Sequence, residues 1–158
     1  MKKIIAQLCR SAIVIILMAA IVPNTPGSGS NISKPLIDTG QWVFTANQMI
    51  PEYGKPSQQG AGYTVNYDTK RLIVSLPYAG KAYSTADMLT GKGPLDFISL
   101  SFTVDKQTKR TGEWRISIEP KDNTEVRSMN FIFYSNGSAN LDIILTNKSG
   151  VSFRGTVK

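Results

Sequence analysis

Most side-chain chemistry in proteins is carried by imidazoles, thiolates, carboxylates and phenols. This chain has no histidine, and its one cysteine, Cys9, lies ahead of an apolar run near the N-terminus. A serine nucleophile activated by imidazole is therefore excluded, and so is a cysteine nucleophile in the body of the chain. Zinc, copper, haem and iron–sulfur centres lose their usual ligands for the same reason. No glycine-rich phosphate loop or dinucleotide fingerprint is present.

Carboxylates remain. A hydrolase of the glycosidase type needs two facing acids. Asp96, Asp105, Glu113, Glu119 and Asp142 fall instead at turns and on polar strand faces. Asp122-Asn123-Thr124-Glu125 offers oxygens to a calcium ion but lacks the spacing of a calcium loop, and reads as a turn. No catalytic residue, metal ligand or cofactor is assigned. Among the phenols, Tyr78 and Tyr83 stand out, in the run Leu76-Pro77-Tyr78-Ala79-Gly80-Lys81-Ala82-Tyr83. Pro77 ends a strand and Gly80 permits a tight bend. The two amphipathic rings are placed to close one end of a barrel with their hydroxyls outward. They are the candidate ligand or partner surface. The plainer reading makes them a packed corner that fixes register.

These residues need a scaffold, and the order of the chain supplies its outline. Lys2-Lys3 is a short basic start, Ala12 to Val22 an unbroken apolar run, and Pro23 to Ser30 polar and turn-rich. That order is expected of a secretory signal peptide over residues 1–27, with cleavage between about 20 and 27. The uninterrupted run is about eleven residues, against the roughly 20 that a membrane span needs. Cys9 precedes this run and follows Leu8, which does not suit a lipoprotein. The expectation is export, to the periplasm or outside the cell, with membrane contact only through the signal peptide. Residues 28–40 read as a flexible tether and 41–158 as one domain. Lys2, Lys3 and Arg10 belong to the leader. Fifteen basic residues then face 11 acidic ones, leaving about +4, dispersed rather than striped. Nucleic acid is not an expected partner.

From Gln41 onward the dominant period is two, that of half-buried strands. Trp42, Phe44 and Ala46 alternate with Val43, Thr45 and Asn47, and Tyr63, Val65 and Tyr67 with Thr64 and Asn66; Leu72, Val74 and Leu76 follow. Leu95 to Val104 reads as one extended run and Asp105 to Gly112 as a polar connection, with Lys106-Gln107-Thr108-Lys109-Arg110 in a hairpin loop. Trp114, Ile116 and Ile118 follow, then Met129, Phe131 and Phe133. Asn136-Gly137 suits a type I′ turn. Leu141, Ile143 and Leu145 return, and Val151, Phe153 and Val157 end the chain. One short helical turn is expected near Thr85-Ala86-Asp87-Met88. About eight strands with local connections predict a single antiparallel barrel, because closure removes the open edges. A two-sheet sandwich is the runner-up. Trp114, Phe131, Phe133 and Phe153 are the expected core.

The Leu76–Tyr83 run resembles a hallmark, Leu-Pro-Tyr-x-Gly-x-Ala-Tyr, of a family of small secreted proteins of unknown function from Gram-negative bacteria. Similar elements are Trp42 to Asn47, Gly93 to Phe97, Gly112 to Ile116, Asn136 to Ala139 and Val151 to Gly155. The resemblance implies a lipocalin-like barrel and export. It implies no activity and carries over no catalytic residue. Ala79 stands where the hallmark is often aromatic.

The function expected is a non-enzymatic binding module of the cell envelope for a small apolar or amphipathic ligand held at the barrel mouth. The alternatives are a structural or protein-interaction module with a cell-envelope partner, and a carboxylate-based hydrolase.

Overall fold

The computed structural model of the 158-residue chain describes residues 34–80, 93–110 and 112–158. The expected signal peptide, the short helical turn near Thr85 and Tyr83 lie outside the described residues. One short helix, α1 (Lys34–Thr39), precedes ten strands: β1 (Trp42–Pro51), β2 (Ser57–Gln58), β3 (Thr64–Asp68), β4 (Arg71–Ser75), β5 (Asp96–Ser99), β6 (Phe102–Arg110), β7 (Glu113–Pro120), β8 (Val126–Tyr134), β9 (Ser138–Leu145) and β10 (Val151–Val157).

The strands form one antiparallel sheet in the order β5-β4-β3-β1-β10-β9-β8-β7-β6, with β2 on β1. Nine strands thus make a nearly closed barrel, one more than the pattern suggested. The ring closes because β1 pairs on one side with β3 and on the other with the last strand, β10. At the remaining seam β5 and β6 follow one another through Leu100-Ser101 but do not pair.

The alternation does what its period requires. Phe44, Val65, Leu72, Ile118, Phe133, Leu141 and Phe153 are fully buried and fill the interior. The expected core residues Trp114, Phe131, Phe133 and Phe153 are all buried. Six aromatic contacts link Trp42, Phe44, Tyr67, Phe102, Phe131 and Phe133, with ring centres 4.9–5.9 Å apart.

Four expectations need correction. The Leu95–Val104 run is broken at Leu100-Ser101, where the chain leaves one part of the sheet for another. The polar stretch from Asp105 is not a loop but the body of β6, paired with β7 from Phe102↔Pro120 to Arg110↔Glu113. Residues 34–39 of the expected tether are helical, and Ile37 joins the core at 3% exposure. The Asn136-Gly137 turn is a three-residue loop rather than a two-residue type I′ turn. Phe133 pairs Ala139, the Gly137 amide donates to the Tyr134 carbonyl at 2.9 Å, and Gly137 takes φ +85°. That is the arrangement of a type I turn followed by a left-handed glycine.

The unpaired corner at Leu100-Ser101 is held from the β7–β8 turn. The Asp122 carboxylate accepts from the Ser99 hydroxyl, from the Leu100 amide at 2.8 Å and from the Ser101 amide at 3.2 Å. The Lys121 amide donates to the Ser101 carbonyl at 2.7 Å. The Ser99 hydroxyl above all, then the Leu100 amide, holds the Asp122 carboxyl below its ordinary value of 3.8. Its contribution to stability is therefore present above that value and is lost as pH falls through the lower folded value.

Two outcomes follow. Phe131→Ala should cost about 3–5 kcal/mol in chemical denaturation, since a buried ring leaves a cavity; an unchanged midpoint would place the inward face elsewhere. Asp122→Asn should lower the melting temperature at neutral pH. The gap to wild type should narrow as pH drops below the ordinary carboxylate range; a gap independent of pH would contradict the corner latch.

Candidate functional site

The two ends of the barrel differ. β4 runs from Leu72, opposite Tyr67, to Ser75 and on to Leu76, so Tyr78 lies toward the end where β9 turns into β10. There the Tyr78 hydroxyl donates to the Ser149 carbonyl at 3.0 Å and lies 3.2 Å from the Ser149 hydroxyl. Its ring is half-buried against the core. A Cβ on Gly80 would stand 2.0 Å from the Tyr78 hydroxyl oxygen, so glycine lets the backbone pass beside the phenol. This is a packed corner, and the hydroxyl turns to a buried serine rather than outward. The structure places Tyr78 here; Tyr83 lies outside the described residues.

The other end holds the start of β1, and side chains of β3, β6 and β8 meet it there. Trp42 opens β1 and stacks on Tyr67 of β3, with ring centres 5.0 Å apart. Phe131 and Phe133 meet the indole edge-on at 4.9 and 5.0 Å. Phe102 of β6 lies 5.8 Å from Tyr67. Burial first, and the neighbouring Asp68 charge second, raise the Tyr67 phenol above its ordinary value. It stays a neutral ring at physiological pH.

Lys106 joins this group from β6. Phe102, Val104 and Lys106 share one face of the strand, and Lys106 sits opposite the buried Ile116. Its ammonium donates to the Ile37 carbonyl of α1 at 3.0 Å and lies 6.0 Å from the centre of the Tyr67 ring. A lysine on the core-facing side of a strand was hidden in the sequence by reading its segment as a loop. The signal was present: Phe102-x-Val104-x-Lys106 continues the period of two.

One atom in this end is unsatisfied. Trp42 is 3% exposed, and its indole N–H is the single buried side-chain polar atom without a hydrogen-bond partner among the described residues. Such a donor costs about 1–3 kcal/mol when left unmade.

Two of the acids considered for a catalytic pair, Asp105 and Asp142, stand too far apart for one. Asp105, Ser117, Asn130 and Asp142 stand in one cross-strand row on the outer face. Asp105 and Asp142 are therefore three strands apart, about 14 Å by interstrand spacing. That exceeds the roughly 5–10 Å of facing glycosidase acids. In the Asp122–Glu125 turn the oxygens already serve protein donors. Asp122 holds the corner, Asn123 accepts from the Glu125 and Val126 amides, and Glu125 pairs with Lys148 at 3.0 Å. Among the described residues no group of three or more potential ligands could hold a metal ion. No helix among them is long and apolar enough to cross a membrane.

The family model for a domain of unknown function designated DUF4251 matches residues 30–157. The chain belongs to this family. It is also similar to the crystal structure of a DUF4251 family protein from Bacteroides eggerthii DSM 20697. The TM-score is 0.52 and the identity 14%, over 78% of this chain and 82% of that one. At that identity the likeness speaks for the fold alone. No curated protein matches the chain.

Tyr78→Phe should lower the unfolding free energy by about 1 kcal/mol, the net worth of one hydrogen bond. Urea denaturation checks this, and an unchanged midpoint would show the phenol free to face a ligand.

Proposed function

We propose that this DUF4251 member is a non-enzymatic binding module of the Gram-negative cell envelope, exported by its N-terminal leader, and that it holds a small amphipathic ligand beneath α1. In this reading it is lipocalin-like in function as well as outline. The observation that carries it is the orphaned Trp42 indole N–H, set in an aromatic group at the α1 end of the barrel. A ligand oxygen placed there would recover the lost hydrogen bond.

The cover suits displacement. A six-residue helix has little stability of its own. It buries Ile37, worth about 1.5–3 kcal/mol. A ligand that lifts α1 must replace that apolar surface with its own, so its body is hydrophobic. Moving α1 also releases the Lys106 ammonium from the Ile37 carbonyl, which favours an anionic or strongly accepting head. Tyr78 then belongs to the far end of the barrel, as a structural ring.

A second reading rests on a different observation. Ile98 and Leu100 are 62% and 71% exposed beside the unpaired edge of β5. An interaction module would use that edge to add an extended strand from an envelope partner.

The test is titration of the protein with dodecanoate, followed by tryptophan fluorescence. A saturable change is expected, abolished by Trp42→Phe and weakened by Lys106→Gln, with Trp114 kept as a second reporter. Absence of any saturable change, or the same affinity in both variants, would contradict a site beneath α1.

A further inference from the structure

The outer face of the barrel carries a second feature, independent of the α1 end. Asp142 on β9 and Arg154 on β10 lie on one diagonal of the sheet. Ser152 pairs with Asp142 and Arg154 with Asn140, so the two charges are offset by one same-face step. Diagonal neighbours of this kind are about 7–8 Å apart at Cα, well within the reach of an arginine side chain. An ion pair is the default outcome, yet neither residue makes one. Neither side chain makes a hydrogen bond or ion pair among the described residues. Some other exposed charges on this barrel do find partners: Arg115 meets Glu113 at 3.0 Å and Lys121 meets Glu119 at 2.8 Å.

Both charged residues line a concavity of about 240 Å³. Ile50 and Ile132 are its apolar walls, with Asn140 and Ser152 between them. Two neighbouring concavities, one along Arg115 and Asn130 and one along Pro51 and Gly150, also open onto Asp142. Asp142 is therefore the common point of a groove that runs over β6 to β10 and the end of β1.

From this we infer a binding site for a small zwitterion, an α-amino acid with an apolar side chain. Asp142 would accept from the α-ammonium, and Arg154 would grip the α-carboxylate as a planar fork. Ile50 and Ile132 would cover the side chain. The site is net neutral with its two charges separated, which matches a ligand that is net neutral with its two charges separated. A polyol would not need either formal charge, and the one aromatic in the lining, Phe153, is fully buried and offers no exposed platform.

The test is a titration of the purified protein with L-leucine, followed by amide shifts in a two-dimensional nitrogen–proton NMR spectrum. Saturable shifts at residues 140–142 and 152–154 are expected. Asp142→Asn and Arg154→Gln should each weaken binding about tenfold, as for a charge-assisted hydrogen bond of about 1.4 kcal/mol or more. Both positions are exposed, so folding should be undisturbed, which the rest of the spectrum reports. N-acetyl-leucine, which lacks the ammonium, should bind more weakly to wild type and lose nothing further in Asp142→Asn. The inference is overturned if leucine gives no saturable shift up to about 50 mM, well beyond the weakest useful affinity. It is equally overturned if the double variant binds leucine unchanged, or if D-glucose shifts the same amides as strongly.

Discussion

The pairing of the first strand with the last is the constraint on which the rest depends. β1 is flanked by β3 and β10, and the ladder to β10 extends to the end of the chain: Val43 and Lys158 exchange both backbone hydrogen bonds, at 2.8 and 3.1 Å. The other connections within the sheet are hairpins or short turns, apart from the long link between β4 and β5. Without the β1–β10 ladder the meander would expose two further edges. With it, ten residues of β1 must curve round the core. A register shift between Ala46 and Gln48 provides the bend, and moves the inward set from Trp42, Phe44 and Ala46 to Met49.

Closure on one side leaves its cost on the other. The barrel cannot also pair β5 with β6, so the chain turns the corner and Asp122 supplies the acceptors that a partner strand would have given. Beyond that corner β6 follows β7, with no strand on its outer edge among the described residues. Its inner face passes from Phe102 and Val104, which pack on the core, to Lys106, which reaches across to α1. The same closure fixes Trp42 at the start of β1, in the core and under the same helix. The seam, the lysine and the orphaned indole are thus consequences of one topology. The candidate site sits where the barrel is least complete.

Much of this was legible in the sequence, and the misses have physical causes. Alternation gave the strands with a buried face, and the four aromatic core residues followed from it. β6 was lost because Asp105 to Thr108 are polar and exposed on both faces, so backbone pairing with β7, and not burial, makes them a strand. α1 is too short to display a 3.6-residue period, and only Ile37 marks it. The loop at Asn136 was misjudged by one residue, because a left-handed glycine serves both turn types. Tyr78 stands out by its place after Pro77, as a ligand mouth or a packed corner, and its hydroxyl bonds to Ser149. No pattern in the sequence foretells that the Trp42 N–H lacks a partner, since that depends on which rings crowd round it. The Asp142–Arg154 diagonal was within reach: a hairpin centred on Asn147 sets Asp142 opposite Ser152.

The claim of an occupied end beneath α1 is tested most directly by native mass spectrometry of the full-length gene product purified from its own host's envelope. A bound small mass, amphipathic in composition and absent from a Trp42→Phe variant that still folds, is the result expected. A homogeneous ligand-free mass from wild type, or the same bound mass on the variant, would contradict it.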